Sequence, residues 1–385
     1  MTTQPQFEHE MLREIYEQPE ALRRTTALYV QGSALNPEIA HRLEVWSNPT
    51  AEILIAASGS SRHSGLYAEI LLEDFCGSAV DVEYASEYSF RGRSDPRRQS
   101  VLVLSQSGET SDTLAVLNEA RRNRQKTLAI TNAPASTMAH IADVSMLLAA
   151  GVEKAIPATK SFTCQLAVLY LLALYEGARV HSIDAASLAR LIGQLQSLPQ
   201  IIERALEPWR SQMSSLAARY KSAASFLYLG RGVHYAIARE GALKLKEASY
   251  VHAEGYPAGE LKHGPNALVS EHVPLVAIAT VDRSLEASVL RYEKTLQLLR
   301  DVKAEGAKVI AVANADDAHI ADLADDVVRI ERTSEYLLPI LEVIPLQLFA
   351  YSLAVELGVN VDRPRNLSKA VVERTPEGHE HTERS

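Results

Sequence analysis

The chain has 385 residues, 46% hydrophobic and 23% charged, with a formal net charge of −9 at neutral pH. That length implies two domains, the negative charge argues against sequence-independent nucleic-acid binding, and the two cysteines, Cys76 and Cys164, exclude a disulfide framework or a cysteine-rich zinc site. No run approaches the roughly 18–20 consecutive apolar residues of a membrane helix, and the polar, acidic start is unlike a signal or transit peptide, so a soluble cytoplasmic protein that engages neither membrane nor nucleic acid is expected.

Residues 7–45 carry apolar side chains at spacings of three and four among charges, which predicts helix. From Glu52 the rhythm changes. "EILIAASGSSRHSGLYAEILLEDF" reads as a strand, a Gly/Ser loop and a helix. "SAVDVEY" is a second short strand, "SVLVLSQSGETSDTLAVLNEARRN" another strand, loop and helix, and "KTLAITNAPAS" and "DVSMLLAA" two more strands. Short apolar runs alternating with helices indicate a parallel sheet covered on both faces. Residues 159–222 then read as mostly helical, beginning with "TKSFTCQLAVLYLLALYEGA", apolar on nearly all sides and expected to be buried. Pro199 and Pro208 punctuate the polar stretch that follows.

The α/β rhythm returns at Ala224 with "SFLYLGRGVHYAIAREGALKLKE", a strand, a Gly loop and a helix, followed by strands in "VPLVAIATVD", "AKVIAVANADD" and "DDVVRIE". "KTLAITNAPASTMAHIADVSMLL" and "AKVIAVANADDAHIADLADDVVRI" share one layout about 180 residues apart, which marks two tandem copies of one α/β unit. Open parallel sheets bind ligands at the carboxyl ends of their strands.

Four stretches carry chemistry. "SQSGET", Ser105 to Thr110, sits between a strand and a helix N-terminus, where free N–H groups and hydroxyls suit a phosphate; the same residues also make ordinary helix caps. The loop has no lysine and does not match the nucleotide P-loop, so a single phosphate monoester is the better fit. "SGSSRHSG", Ser58 to Gly65, also opens a helix, as either a capped turn or a second wall of one cleft. In "EGALKLKEASYVHAEGYPAGELKHGP", Lys244 and Glu247 share a helix face, as a surface ion pair or a proton-transfer pair, and His263 stands in a glycine-flanked loop. "DRPRNLSKAV" places lysine in a Pro-containing tail, either solvated or able to reach a carbonyl and form an imine.

Taken together and in order, "EIYEQP", "SQSGETSDTLA", "LGRG", "EGALKLKE", "AGELKHGP", "PLQLFAY" and "DRPRNLSKAV" make residues 10–373 resemble the isomerase half of the glutamine:fructose-6-phosphate amidotransferase family, which is built from two sugar-isomerase (SIS) domains. The resemblance implies an α/β fold of two tandem SIS domains, each a parallel sheet flanked by helices in a flavodoxin-like three-layer sandwich. The expected division is a helical segment over 1–45, the first SIS domain over 46–190, a helical linker over 191–215, the second SIS domain with its tail over 216–373, and a polar, disordered end over 374–385. The resemblance further implies that Ser105, Gln106, Ser107 and Thr110 bind phosphate and that Gly59, Ser60 and Ser61 line the sugar site. By the same resemblance, Glu247 shuttles a proton between C1 and C2 with Lys244 beside it, His263 opens the sugar ring from the neighbouring subunit of a homodimer, and Lys369 forms an imine with the ketose. No metal and no cofactor is implied.

Two departures shape the expected reaction. No glutaminase nucleophile follows Met1, and both cysteines lie mid-chain. Where the family reads Val-Ala-Ser-Thr-Lys, this chain reads "IPATK", with Pro157 and with Ala158 replacing serine. Without tethered ammonia, mass action favours release, so the expected activity is a stand-alone deaminase-isomerase taking glucosamine 6-phosphate and water to fructose 6-phosphate and ammonia. A fructosamine 6-phosphate deglycase, a ketose–aldose phosphate isomerase and a non-catalytic phosphosugar sensor are the alternatives on the same fold.

Overall fold

The computed structural model describes residues 7–47, 52–88, 90–91 and 99–369; the polar end 374–385 lies outside the described residues. Helices α1 (Glu10–Tyr16) and α2 (Gln18–Tyr29) lead into a two-strand hairpin, β1 (Val30–Gln31) and β2 (Ala34–Leu35), and then α3 (Pro37–Leu43). The hairpin breaks the stretch expected to be helical, because Gly32 turns the chain at φ +62°.

The first α/β unit runs β3 (Glu52–Ala57), α4 (Gly59–Cys76), β4 (Val80–Tyr84), α5 (Ala85–Tyr88), β5 (Gln99–Leu104), α6 (Ser111–Arg122), β6 (Lys126–Thr131), α7 (Thr137–Ile141) and β7 (Val144–Leu147). Two long helices follow, α8 (Lys160–Arg179) and α9 (Ala185–Tyr220). The second unit runs β8 (Ser225–Gly230), α10 (Val233–Ser249), β9 (His252–Pro257), β10 (Leu275–Ile278), α11 (Glu286–Ala304), β11 (Val309–Asn314) and β12 (Asp326–Ile330), and ends with α12 (Leu338–Glu356). The sheets are ordered β4-β3-β5-β6-β7 and β9-β8-β10-β11-β12, and every pairing within them is parallel. Numbered within each unit, both read 2-1-3-4-5, the flavodoxin-like order, so the tandem repeat holds at the level of topology.

The central strands β3, β5, β10 and β11 are buried almost throughout and read as continuous apolar runs. Helices α8 and α12 are apolar on nearly every side and are long enough to cross a bilayer, yet both lie buried in the largest core cluster together with α4, α10 and α9. Polar residues inside them, such as Gln165 and Gln347, interrupt the apolar runs and are hydrogen-bonded within the core. Pro199 and Pro208 sit within α9 rather than ending it, so residues 191–215 form the middle of one continuous helix. Strand β9, "HAEGYP", has no apolar alternation; it exists because its backbone pairs with the edge of β8.

Candidate active site

A cleft of about 170 Å³ opens where chain connections leave the first sheet in opposite directions, above the carboxyl ends of β3 and β5. One side is the Ser105–Thr110 loop. Gly108 makes this loop possible: its φ is +67°, and a Cβ there would lie 2.2 Å from Ser136 Oγ. The turn is held by its own hydroxyls. The Gly108 N–H donates to Ser105 Oγ (3.1 Å), the Glu109 N–H donates to Ser107 Oγ (3.2 Å), and the Ser105 and Thr110 hydroxyls lie 2.9 Å apart. Ser105, Gln106, Ser107 and Thr110 all line the cleft. They face it together with the N-terminal turn of α6, whose backbone donors lack helical partners. The loop contains no basic side chain, so its capacity for an anion rests on hydroxyls, N–H groups and the helix dipole.

The opposite side is built by α4 and α10. On α10, Glu240, Lys244 and Glu247 fall at spacings of four and three and so share one face. Lys244 is almost fully buried; its Nζ bonds Glu247 Oε2, lies 3.4 Å from Glu240 Oε1, and donates to Ser60 Oγ at 3.1 Å. Ser60 in turn donates to Glu240 Oε1 (2.8 Å), and Glu240 Oε2 meets His63 Nδ1 (2.8 Å). Burial opposes the charge on Lys244, but the carboxylates of Glu247 and Glu240 outweigh it and raise its pKa. Burial likewise opposes the charge on Glu240, and Lys244, His63 and Ser60 together hold its carboxyl below the usual range. Burial pushes His63 down despite Glu240, which favours a neutral ring donating Nδ1–H. Of the carboxylates here, only Glu247 keeps access to the cleft: 21% of its side chain is exposed, against none for Glu240. An accessible carboxylate beside a fixed ammonium can take a proton from a carbon next to a carbonyl.

The third wall is the segment between β7 and α8. Glu153 is buried, and its Oε1 accepts the N–H groups of Thr159 (3.0 Å) and Ser161 (3.1 Å) at the start of α8. Its Oε2 accepts Ser161 Oγ and Lys369 Nζ, both at 2.7 Å. From below, the Glu14 carboxylate accepts the Lys154 and Ala155 N–H groups; burial, with the Glu153 charge acting in the same direction, pushes its pKa up to about 7. The tail crosses this wall, so Leu367 and Lys369 line the cleft alongside Ile156 and Ala158.

The structure therefore gathers Ser105, Gln106, Ser107, Thr110, Ser60, Ser61, Lys244, Glu247 and Lys369 around one space. It does not bring Gly59 or His263 there. Gly59 starts α4 at φ +54° and faces a neighbouring hollow beside His63 and Arg239. His263, exposed at the end of the 3₁₀ turn Ala258–His263, stands outside the cleft of its own chain. Sequence reading missed Glu153, Glu240, His63 and Thr113. Thr113 is buried under the cleft, and its Oγ1 has no partner among the described residues. Glu240 carried a signal, because it is one helical turn before Lys244. Glu153 carried none, since only the folded wall brings it to Lys369.

The second unit carries a buried ion-pair network at the start of its first helix, α10. His234, buried at the start of α10, lies 2.8 Å from Glu342 and 3.3 Å from Glu335, and Glu335 also takes two bonds from Arg291 and one from Ser288. Burial would lower the His234 pKa, but the two carboxylates raise it to about 10; Glu335, despite its own burial, is held down at about 2 by His234, Ser288 and Arg291.

Two parallel 2-1-3-4-5 units with a hydroxyl-lined loop at the first switch point define a tandem flavodoxin-like α/β protein with a candidate anion site. The SIS domain family matches residues 48–175 and 220–357, and the chain belongs to it. It is 41% identical over 373 residues to the isomerizing glutamine–fructose-6-phosphate aminotransferase of Thermus thermophilus, covering 95% of this chain and 59% of that relative's length. The C-terminal domain of glucosamine-fructose-6-phosphate aminotransferase from Francisella tularensis superposes with a TM-score of 0.84 at 32% identity, covering 93% of this chain and 98% of that one. A glucosamine-6-phosphate deaminase structure from Thermotoga maritima shares the fold with a TM-score of 0.69 at 23% identity, covering 94% of this chain and all of that one.

Proposed function

We propose that this cleft binds a hexose or hexosamine 6-phosphate and moves one proton between C1 and C2, with the net reaction glucosamine 6-phosphate plus water to fructose 6-phosphate plus ammonia. The observation that carries this reading is that the Ser105–Thr110 cradle and the accessible Glu247 carboxylate open on the same cleft. Relatives named for fructose 6-phosphate and for isomerisation support the substrate class, although the chain spans only 59% of their length.

In the proposed sequence the cradle holds the 6-phosphate. His263 of a second subunit opens the ring, and Glu247 takes the C2 proton and returns it to C1. The aldose amine thereby becomes a ketose with C2=NH, and water replaces the nitrogen, directly or after Lys369 has taken its place as an iminium. Burial pushes both the Cys76 and the Cys164 thiol up to about 12, so neither supplies a thiolate near neutral pH and neither takes part in the proposed sequence. A second reading, deglycation of a fructosamine 6-phosphate, is favoured by the wall of Ile156, Ala158 and Leu367, which offers apolar surface to an N-substituent.

The test is Glu247→Gln, assayed for solvent deuterium incorporation at C1 and C2 and for ammonia. Turnover is expected to fall by about 10²–10⁴ while the non-reactive polyol sorbitol 6-phosphate still binds. Undiminished exchange would sink the proton-transfer assignment. A panel of amino-, keto- and N-substituted hexose 6-phosphates separates the two readings.

A further inference from the structure

We propose that Glu153 is the positioning residue for the tail lysine, a buried counter-charge that seats Lys369 Nζ at the cleft and stays matched to it when the lysine becomes an iminium. This rests on the reading of Lys369 given above. Both Glu153 oxygens are already committed: Oε1 to the α8 N-terminus, and Oε2 to Ser161 Oγ and Lys369 Nζ. Glu153 lines the cleft, but its side chain has no exposure and its two oxygens already accept from four protein donors. Burial presses toward its neutral form, yet Lys369, Ser161 and Thr159 outweigh burial and hold it charged.

The lysine ends a strap with spaced anchors. The Asp362 carboxylate caps α1 through the Glu10 and Met11 N–H groups (2.9 and 2.8 Å), and its carbonyl accepts the Ile156 N–H (3.1 Å). The Arg365 N–H donates to Tyr250 OH (2.7 Å), and its guanidinium lies 4.4 Å above that ring. Beyond Arg365, Lys369 Nζ has two anchors, Glu153 Oε2 and the Ala155 carbonyl (2.5 Å), which use two of its three donors.

The charge balance explains why a carboxylate suits this place. A protonated lysine and a ketose C2=O combine to give an iminium and one water: the N–C2 bond forms, the C2–O bond breaks, and two protons of the ammonium leave with that oxygen. Nζ carries one positive charge before and after, so one fixed carboxylate matches both states without moving.

The experiment is borohydride reduction of the full-length protein with fructose 6-phosphate, which adds hydride to the C=N carbon and leaves a stable secondary amine, located by peptide mass mapping. Wild type is expected to label at Lys369. Glu153→Gln is expected to label at least about 10-fold less, since breaking a buried charge pair is costly, while its affinity for sorbitol 6-phosphate stays within about 3-fold, or about 0.7 kcal/mol of binding energy. Should Glu153→Gln fail to fold, Ser161→Ala, which removes one bond to Oε2, is expected to lower labelling several-fold with the same polyol affinity. Equal labelling of wild type and variant overturns the inference alone. Parallel loss of labelling and polyol binding also overturns it, since that is the mark of a purely structural role. Absence of label in wild type overturns the Lys369 assignment itself.

Discussion

Replacing Gly108 with alanine attacks the anion cradle at its tightest point. Gly108 sits at φ +67°, a left-handed conformation that costs a residue with a Cβ about 1–2 kcal/mol. The added methyl would lie 2.2 Å from Ser136 Oγ, 2.5 Å from Ser136 Cβ and 2.9 Å from Thr131 Oγ1. Ser136 cannot simply rotate away, because it is buried and its Oγ accepts the Ala139 N–H at the start of α7. Overpacking of this kind costs a further 1–3 kcal/mol or so, for about 2–5 kcal/mol in all. The loop relieves part of that by moving, and movement breaks the Gly108 N–H bond to Ser105 and the Met138 N–H bond to the Gly108 carbonyl. Gly108→Ala is therefore expected to lower the melting temperature and raise KM for a hexosamine 6-phosphate by about 10-fold or more, each decade being about 1.4 kcal/mol. Thermal unfolding and steady-state kinetics on one preparation measure both. Unchanged Tm and KM would refute the claim that this glycine is required by the cradle.

Lys244→Met removes the cation buried between Glu240 and Glu247 and is expected to destabilise the fold by about 3–5 kcal/mol, read from urea unfolding; a loss below about 1 kcal/mol would mean the carboxylates find other partners. The His234–Glu335–Glu342 network gives a pH signature. His234 is raised from 6.5 to about 10, so its contribution is complete below about pH 6.5 and lost as pH rises through 10; Glu335 is lowered from 4.5 to about 2, so its contribution is complete above about pH 4.5 and lost as pH falls through 2. The stability gap between wild type and His234→Gln, on the order of a few kcal/mol, is thus expected to be widest between about pH 4.5 and 6.5; a flat gap from pH 5 to 10 would contradict this. If His263 acts across a dimer, mixing refolded Glu247→Gln and His263→Asn chains should restore up to about a quarter of wild-type turnover through mixed dimers, and no recovery would argue for a site within one chain.

The repeat was legible because each copy uses the same local grammar, apolar strand, glycine or serine turn, then helix, and local signals survive without tertiary context. The chemistry-bearing loops were legible for the same reason: Ser105 to Thr110 and Glu240 to Glu247 are contiguous, and the helical period alone puts Lys244 beside Glu247. Strand β9 and the β1–β2 hairpin were not, since their backbones form strands through pairing and turning rather than through an apolar pattern.

What the sequence determined by itself is the fold class, the family and the order of the site loops. The tertiary structure alone decided which of these residues share a space. It set Ser60 of the first unit against Lys244 of the second at 3.1 Å, brought Glu153 within 2.7 Å of Lys369 across more than half the chain, and left His263 outside its own cleft. The physical reason is that charge pairing in a buried site depends on distance and desolvation, and neither is written in any local stretch of the chain.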